Sequence, residues 1–190
     1  MTGFQWIIPA LWLAFAVYWA ISALSAKRSI GAPPWWRQRL PHLAVLVLVI
    51  AVFHGFGNGH GLRALQAYQA RSITLGAIGT ALVLLGVSLA VFARVYLGRN
   101  WGMPMSRKAD PELVTGGPYA HVRHPIYTGI IVAMLGSAVG ESFYWVLPLI
   151  FFTPYFIFSA RREERLMCEQ FPAQYPDYMR RTDMIVPFVL

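Results

Sequence analysis

Charge is scarce in this chain. Of 190 residues only 13% are Asp, Glu, Lys or Arg while 57% are hydrophobic, about half the charge an ordinary globular domain needs to solvate its surface. A soluble globular protein is thereby excluded, and the sequence reads as an integral membrane protein. Cysteine is nearly absent as well: Cys168 stands alone, so neither an intrachain disulfide nor a thiolate metal cluster can form, and Cys168 reads as a packing residue. Acidic residues number eight against sixteen basic ones. The basic residues sit in short clusters beside apolar runs rather than in a nucleic-acid module, so membrane topology explains the net charge of +8 better than a nucleic-acid partner does. There is no G-x-G-x-x-G turn after a strand, and no polar stretch long enough to make a second domain. Residues 1–190 are expected to form one membrane-embedded domain.

What the chain does have is apolar runs. Phe4 to Leu24 carries no charge. At 1.5 Å per residue it gives a helix of about 31 Å, the thickness of a bilayer core, and with no basic residue before it the run is expected to remain as a first span rather than be cleaved. Leu43 to Phe53 reaches spanning length only if extended over about 41–56. Thr74 to Ala93 is a third span, with Gly76, Gly79 and Gly86 offering small surfaces where another helix can approach closely. Ile126 to Gly140 and Ser142 to Ala160, separated by Glu141, read as a helical hairpin whose first arm, about 22 Å, is short. The expected fold is an all-α membrane bundle of about five transmembrane helices, with a C-terminal hairpin and a polar tail.

Basic residues concentrate on the cytoplasmic side of short loops. Five helices place 14 of the 16 on one face, including Lys27, Arg28, Arg37 and Arg39, then Arg94 and Arg99, then Arg161, Arg162 and Arg165. Only Arg63 and Arg71 fall opposite. The N-terminus is expected outside and the C-terminus in the cytoplasm, of the inner membrane in a bacterium. Because the hairpin returns to the side it left, Arg123 and Arg161 should share one face. The stretches "GGPYAHVRHPIYTG" (116–129) and "RREER" (161–165) would then meet at the cytoplasmic boundary.

In the first stretch, Pro125 biases His124 away from helical angles, so "VRHP" should approach in extended form and Pro125 should open a helix. The surrounding side chains would fan about that helix N-terminus, a position that favours anions such as a carboxylate; simple headgroup anchoring by Arg123, His121 and His124 is the bland alternative. A metal site on His121, His124, Glu163 and Glu164 is disfavoured, because a prolyl turn separates the histidines from the helix and no third histidine joins them. His42, His54 and His60 read as interface or loop residues. Glu163 and Glu164 lie about 100° apart on a helix, so one would enter a site while the other pairs with Arg161, Arg162 or Arg165, unless both belong to a solvated turn. Gly116, Gly117 and Gly129 either serve turns and packing or let backbone approach a ligand. Trp35, Trp36 and Trp101 read as interfacial anchors. The helix after Ala160 should continue to about Gln170 and stop before Pro172 and Pro176, leaving Tyr175, Tyr178 and Met179 on the bilayer surface or the loop.

"LVTGGPYAHVRHPIYTG", followed after the hairpin by "RREERLMCEQFPAQYPDYMRR" and "VPF", with "LGRNWG" upstream, resembles the isoprenylcysteine carboxyl methyltransferases and the related phospholipid methyltransferases. The resemblance covers 97–188, the expected catalytic half. It implies a membrane-embedded methyltransferase dependent on S-adenosyl-L-methionine, with Tyr119, His121, His124, Pro125 and Tyr127 shaping the cofactor pocket. Glu163 and Glu164 would reach the cofactor's hydroxyls or amino group, and Arg123, the catalytic candidate, would sit nearer the reacting end. Pro172 stands where the family often has glycine, which bears on the substrate rim. The implied acceptor is a lipophilic or lipidated molecule in the bilayer, first the carboxylate of a prenylcysteine-like substrate, with a phospholipid amine or a lipophilic thiol as alternatives. A nicotinamide-dependent sterol reductase and a non-catalytic membrane protein are the more distant readings. No metal, nucleic acid or obligate protein partner is implied.

Overall fold

The computed structural model describes residues 4–23, 29–30, 67–69, 72–98, 107–108 and 112–186. The expected span at 41–56 lies outside them. So do Lys27, Arg28, Arg37, Arg39, Arg63, Arg71 and Arg99, the histidines His42, His54 and His60, and Trp35, Trp36 and Trp101.

The described chain is mostly helical. Its elements are α1 (Phe4–Ala23), α2 (Ile73–Leu97), α3 (Pro125–Gly140), α4 (Val146–Gln170) and the short α5 (Tyr175–Arg181). One two-residue ladder departs from a purely helical fold: β1 (Ser29–Ile30) pairs antiparallel with β2 (Arg107–Lys108). Two helical units, Ile73–Leu97 and Phe143–Gln170, are long and apolar enough to cross a membrane, whereas Trp6–Ser22 and Pro125–Gly140 are apolar but shorter.

Glycine decides how these helices meet. A Cβ placed on Gly79 would fall 2.3 Å from Gly140 Cα, and one on Gly86 would fall 2.4 Å from the Gly129 carbonyl and 2.5 Å from Ala133 N. The α2 and α3 backbones are therefore in direct contact, which only small residues allow, and the pairing of rising α2 numbers with falling α3 numbers makes the two helices antiparallel. Gly79 and Gly86 act as the sequence suggests. Gly129 serves this same contact, facing Gly86 and Ala90, rather than a ligand.

α1 closes the bundle at both ends. Near its start, Ile8 is fully buried beside Gly140, and Trp12 Nε1 donates to Ser137 Oγ at 2.9 Å. Near its end, the Ser22 carbonyl accepts from Arg94 Nη2 at 2.5 Å.

Arg94 corrects the expected boundary of the third span. α2 continues to Leu97, so Arg94 belongs to its last turn and is buried rather than lying in a loop. Its Nη1 also donates to the Gly98 carbonyl at 2.7 Å, where a cation complements the helix C-terminus.

Candidate active site at the start of α3

The site is built from a turn, an extended strap and two helix ends. A 3-10 turn, Gly117–Ala120, follows Gly116. Gly117 has φ +58°, a left-handed conformation that favours glycine, and the Tyr96 ring would lie 2.6 Å from any Cβ there. The diglycine thus folds the chain over Tyr96. Tyr119 comes next and is buried, its hydroxyl donating to the Ala93 carbonyl at 3.3 Å.

His121 still has helical angles, and by His124, the residue before proline, the chain has left them. It is held there by the returning tail. Arg123 N donates to the Asp183 carbonyl at 2.8 Å and His124 N to the Met184 carbonyl at 3.0 Å. Thr128 Oγ1 donates to the Ile185 carbonyl at 2.6 Å, and Tyr178 Oη to the Tyr119 carbonyl at 2.6 Å. Pro125, buried, occupies the first position of α3, where its missing N–H has no helical partner to lose.

At this junction five side chains converge. Arg123 Nε donates to Glu164 Oε1 at 2.5 Å, and its Nη1 donates to the carbonyls of Met179 and Thr182. Tyr127 Oη donates to Glu163 Oε1 at 2.7 Å. The His124 ring stands between the acids, its Nδ1 3.6 Å from Glu163 Oε2 and its Nε2 3.5 Å from Glu164 Oε1. Although buried, Nε2 makes no hydrogen bond. The ring stacks on Tyr127 at 5.5 Å between centroids, and Tyr127 stacks on Phe156 of α4 at 4.8 Å.

Both glutamates thus reach the motif, where one was expected to pair with Arg161, Arg162 or Arg165. The difference has a simple cause: one imidazole presents a nitrogen to each side, so two carboxylates about 100° apart on a helix can flank it. The same arrangement keeps their oxygens from converging on a single point, and among the described residues no three His, Cys, Asp or Glu side chains form a metal-binding group.

Burial and charge then sort the protonation states. Burial pushes the Glu164 carboxyl up, but the contacts from His124 and Arg123 outweigh it and hold the group below its ordinary value. Burial pushes Tyr178 up to about 12 and raises Tyr119 and Tyr175 as well. All three phenols stay protonated at neutral pH, as the donors Tyr119 and Tyr178 must.

Of the sequence candidates, Arg123, His124, Tyr127, Glu163 and Glu164 come together, Pro125 frames them, and Tyr119 supports the turn from behind. His121 is exposed at the end of the turn and contributes its carbonyl, which accepts from Asp183 N at 3.4 Å. Sequence reasoning missed Phe156, Tyr178, Thr182 and Arg94. Phe156 lies seven residues before Glu163 and hence on its helical face, while a charge ending an apolar run is itself a signal for Arg94. The tail contacts leave no local trace.

The sequence profile of the phospholipid methyltransferase family matches residues 74–174, more than half of the chain and both halves of the cluster. The chain belongs to the phospholipid methyltransferase family. Among its relatives, a nickel-cobalt-cadmium resistance protein of Alcaligenes xylosoxydans xylosoxydans is 36% identical over 86% of this chain and 74% of its own length. A protein-S-isoprenylcysteine O-methyltransferase of Arabidopsis thaliana is 30% identical over 58% of each chain. The solved structure of a eukaryotic intramembrane Ras methyltransferase, an isoprenylcysteine carboxyl methyltransferase, shares the fold with TM-score 0.51 at 23% identity, covering 84% of this chain and 55% of that one. This member of the phospholipid methyltransferase family thus spans little more than half the length of those two methyltransferases. Its tail strap, from Tyr175 onward, falls outside the family match.

Proposed function

We propose that this protein transfers the methyl group of S-adenosyl-L-methionine to a lipophilic acceptor at the cytoplasmic membrane interface, and that its first acceptor is the carboxylate of a prenylcysteine-like molecule. The observation that carries this reading is the convergence of His124, Tyr127, Glu163 and Glu164 at the start of α3, with a buried imidazole nitrogen left without a hydrogen bond. Names of relatives that act on prenylcysteine support the choice of acceptor.

The residues suit the cofactor. Glu163 is a quarter exposed, and its carboxylate offers lone pairs to hydroxyl or ammonium donors. His124 Nε2 is an open polar position, and Tyr127 and Phe156 present an aromatic face. When bound, S-adenosyl-L-methionine supplies an electrophilic sulfonium methyl. A carboxylate acceptor needs no general base, so the protein's work is to position the acceptor and exclude water. Arg123 spends Nε and Nη1 within the protein, while its Nη2 makes no hydrogen bond among the described residues. That nitrogen is the donor left to orient an acceptor carboxylate.

A phospholipid amine is the second reading. An ammonium must lose a proton before it attacks, and His124 Nε2, which makes no hydrogen bond and stands 3.5 Å from Glu164 Oε1, is the candidate to take one. A lipophilic thiol has the same requirement.

The architecture proposed for this activity is a single domain over 1–190 with five spans, 41–56 being the second, and with α3 and α4 as a hairpin. It rests on α1 and α2 running in the same direction, since Ile8 lies near Gly140, which itself meets Gly79 and Leu75 of α2, while Ser22 lies near Arg94. The charge balance of 14 against 2 orients the N-terminus outside and the C-terminus in the cytoplasm, which is the inner membrane in a bacterium.

The test is transfer of labelled methyl from S-adenosyl-L-methionine, in lipid vesicles, to a prenylcysteine, phosphatidylethanolamine and a long-chain thiol in parallel. A base-labile methyl ester on the prenylcysteine supports the first reading, base-stable label on the amine supports the second, and no transfer to any acceptor contradicts both.

A further inference from the structure

The cluster uses one face of the cytoplasmic end of α4. The opposite face holds a cleft of about 490 Å³ lined by Phe158, Arg161, Arg162, Arg165, Leu166 and Glu169. These positions recur at three and four residues, so they form one stripe along the helix, while Glu163 and Glu164 point to the active site.

Three features of this stripe bear on what it binds. Arg161, Arg162 and Arg165 are all exposed and crowd into little more than one turn, where like charges repel. None of the three is held by an acid among the described residues, unlike Arg123 on Glu164 and Arg180 on Asp177. Phe158, one turn nearer the apolar half of α4, is 59% exposed, so the cations adjoin bare apolar surface.

We infer that this stripe binds the phosphodiester of an anionic phospholipid. The cations lie where the apolar run of the helix ends, which is the depth of the headgroup phosphates. Guanidinium forks match phosphate oxygens in pairs of hydrogen bonds, and an acyl chain leaving the phosphate would lie along Phe158. Binding there would relieve the repulsion among the three arginines and hold the α4 extension on which Glu163 and Glu164 are carried, so lipid composition would act on the site from behind.

The test titrates the full chain, in neutral detergent, with short-chain phosphatidylglycerol, phosphatidylcholine or inorganic phosphate, reading the thermal midpoint. The variants are the triple R161Q/R162Q/R165Q and, as a control that removes two arginines away from the stripe, R180Q/R181Q. Phosphatidylglycerol should raise the wild-type midpoint saturably and phosphatidylcholine should not. Each guanidinium removed should weaken the apparent lipid affinity about fivefold, so the triple variant should lose on the order of a hundredfold. The control should keep wild-type affinity, and the triple variant should keep its midpoint in phosphatidylcholine because its altered side chains are exposed. An undiminished phosphatidylglycerol shift in the triple variant, or an equal loss in R180Q/R181Q, would overturn the inference. Inorganic phosphate reproducing the whole shift would replace a lipid site with a simple anion site. A lower triple-variant midpoint in phosphatidylcholine would assign the arginines to folding instead.

Discussion

Arg123 and Glu164 stand 41 residues apart in the chain and meet at 2.5 Å, with both side chains less than a tenth exposed. The pair joins the extended strap before α3 to the far end of α4, and the same guanidinium ties both to the tail through Met179 and Thr182. Either partner alone would be a nearly buried charge without its counter-ion.

Arg123→Ala and Glu164→Ala should therefore each destabilise the protein by about 2–3 kcal/mol, and the double variant should cost clearly less than their sum. Denaturation midpoints of the four proteins in one detergent check this. Additive losses would mean that the contact contributes no coupling.

The pH dependence follows from the same pair. Glu164 is held below the ordinary value of 4.5 by His124 and Arg123, against the upward push of burial. A depressed carboxyl contributes its full stability above the unfolded-state value and loses it as pH falls through the lowered one. The thermal midpoint should drop on acidification below about 4.5, and Glu164→Gln should start lower at neutral pH and show a shallower acid limb. Parallel acid limbs in the two proteins would assign the effect to other groups.

The contact between α2 and α3 allows no side chain at its centre. Gly86→Val would drive methyl groups into the Gly129 carbonyl and the Ala133 backbone, and neither can move without shifting a helix. The expected loss is about 3 kcal/mol, read as a fall in the thermal midpoint. A fall no larger than that of an exposed substitution such as Leu85→Ala would show that the helices separate readily.

Sequence periodicity and composition anticipate the parts of this structure that depend on local chemistry. The charge-free run from Phe4 becomes a helix to Ala23, Pro125 opens α3 after a His124 that is non-helical though not fully extended, and α4 ends at Gln170 before Pro172. The parts that depend on distant partners escape it. Arg94 extends α2 because the Ser22 carbonyl, 72 residues away, accepts its proton. Gly116 and Gly117 face Tyr96, which lies back in α2. The meeting of 116–129 with 161–165 is legible in the sequence, but not that both glutamates flank one imidazole.

The tail strap gives a local test. Tyr178→Phe removes the hydrogen bond to the Tyr119 carbonyl at a cost of about 1 kcal/mol. Hydrogen exchange of the Arg123 and His124 amides, which donate to Asp183 and Met184, should then quicken while exchange in the middle of α2 is unchanged. Unaltered exchange at the two amides would mean that the strap holds without Tyr178.

The most direct test of the proposed activity is calorimetric titration of the detergent-purified protein with S-adenosyl-L-methionine and, in parallel, with NADPH. The account predicts saturable binding of S-adenosyl-L-methionine alone, weakened about tenfold in Glu163→Gln, where one charge-assisted hydrogen bond is lost, with its thermal midpoint close to that of the wild type. Absence of S-adenosyl-L-methionine binding by a folded wild-type protein would contradict the account, and binding of NADPH alone would put a reductase in its place.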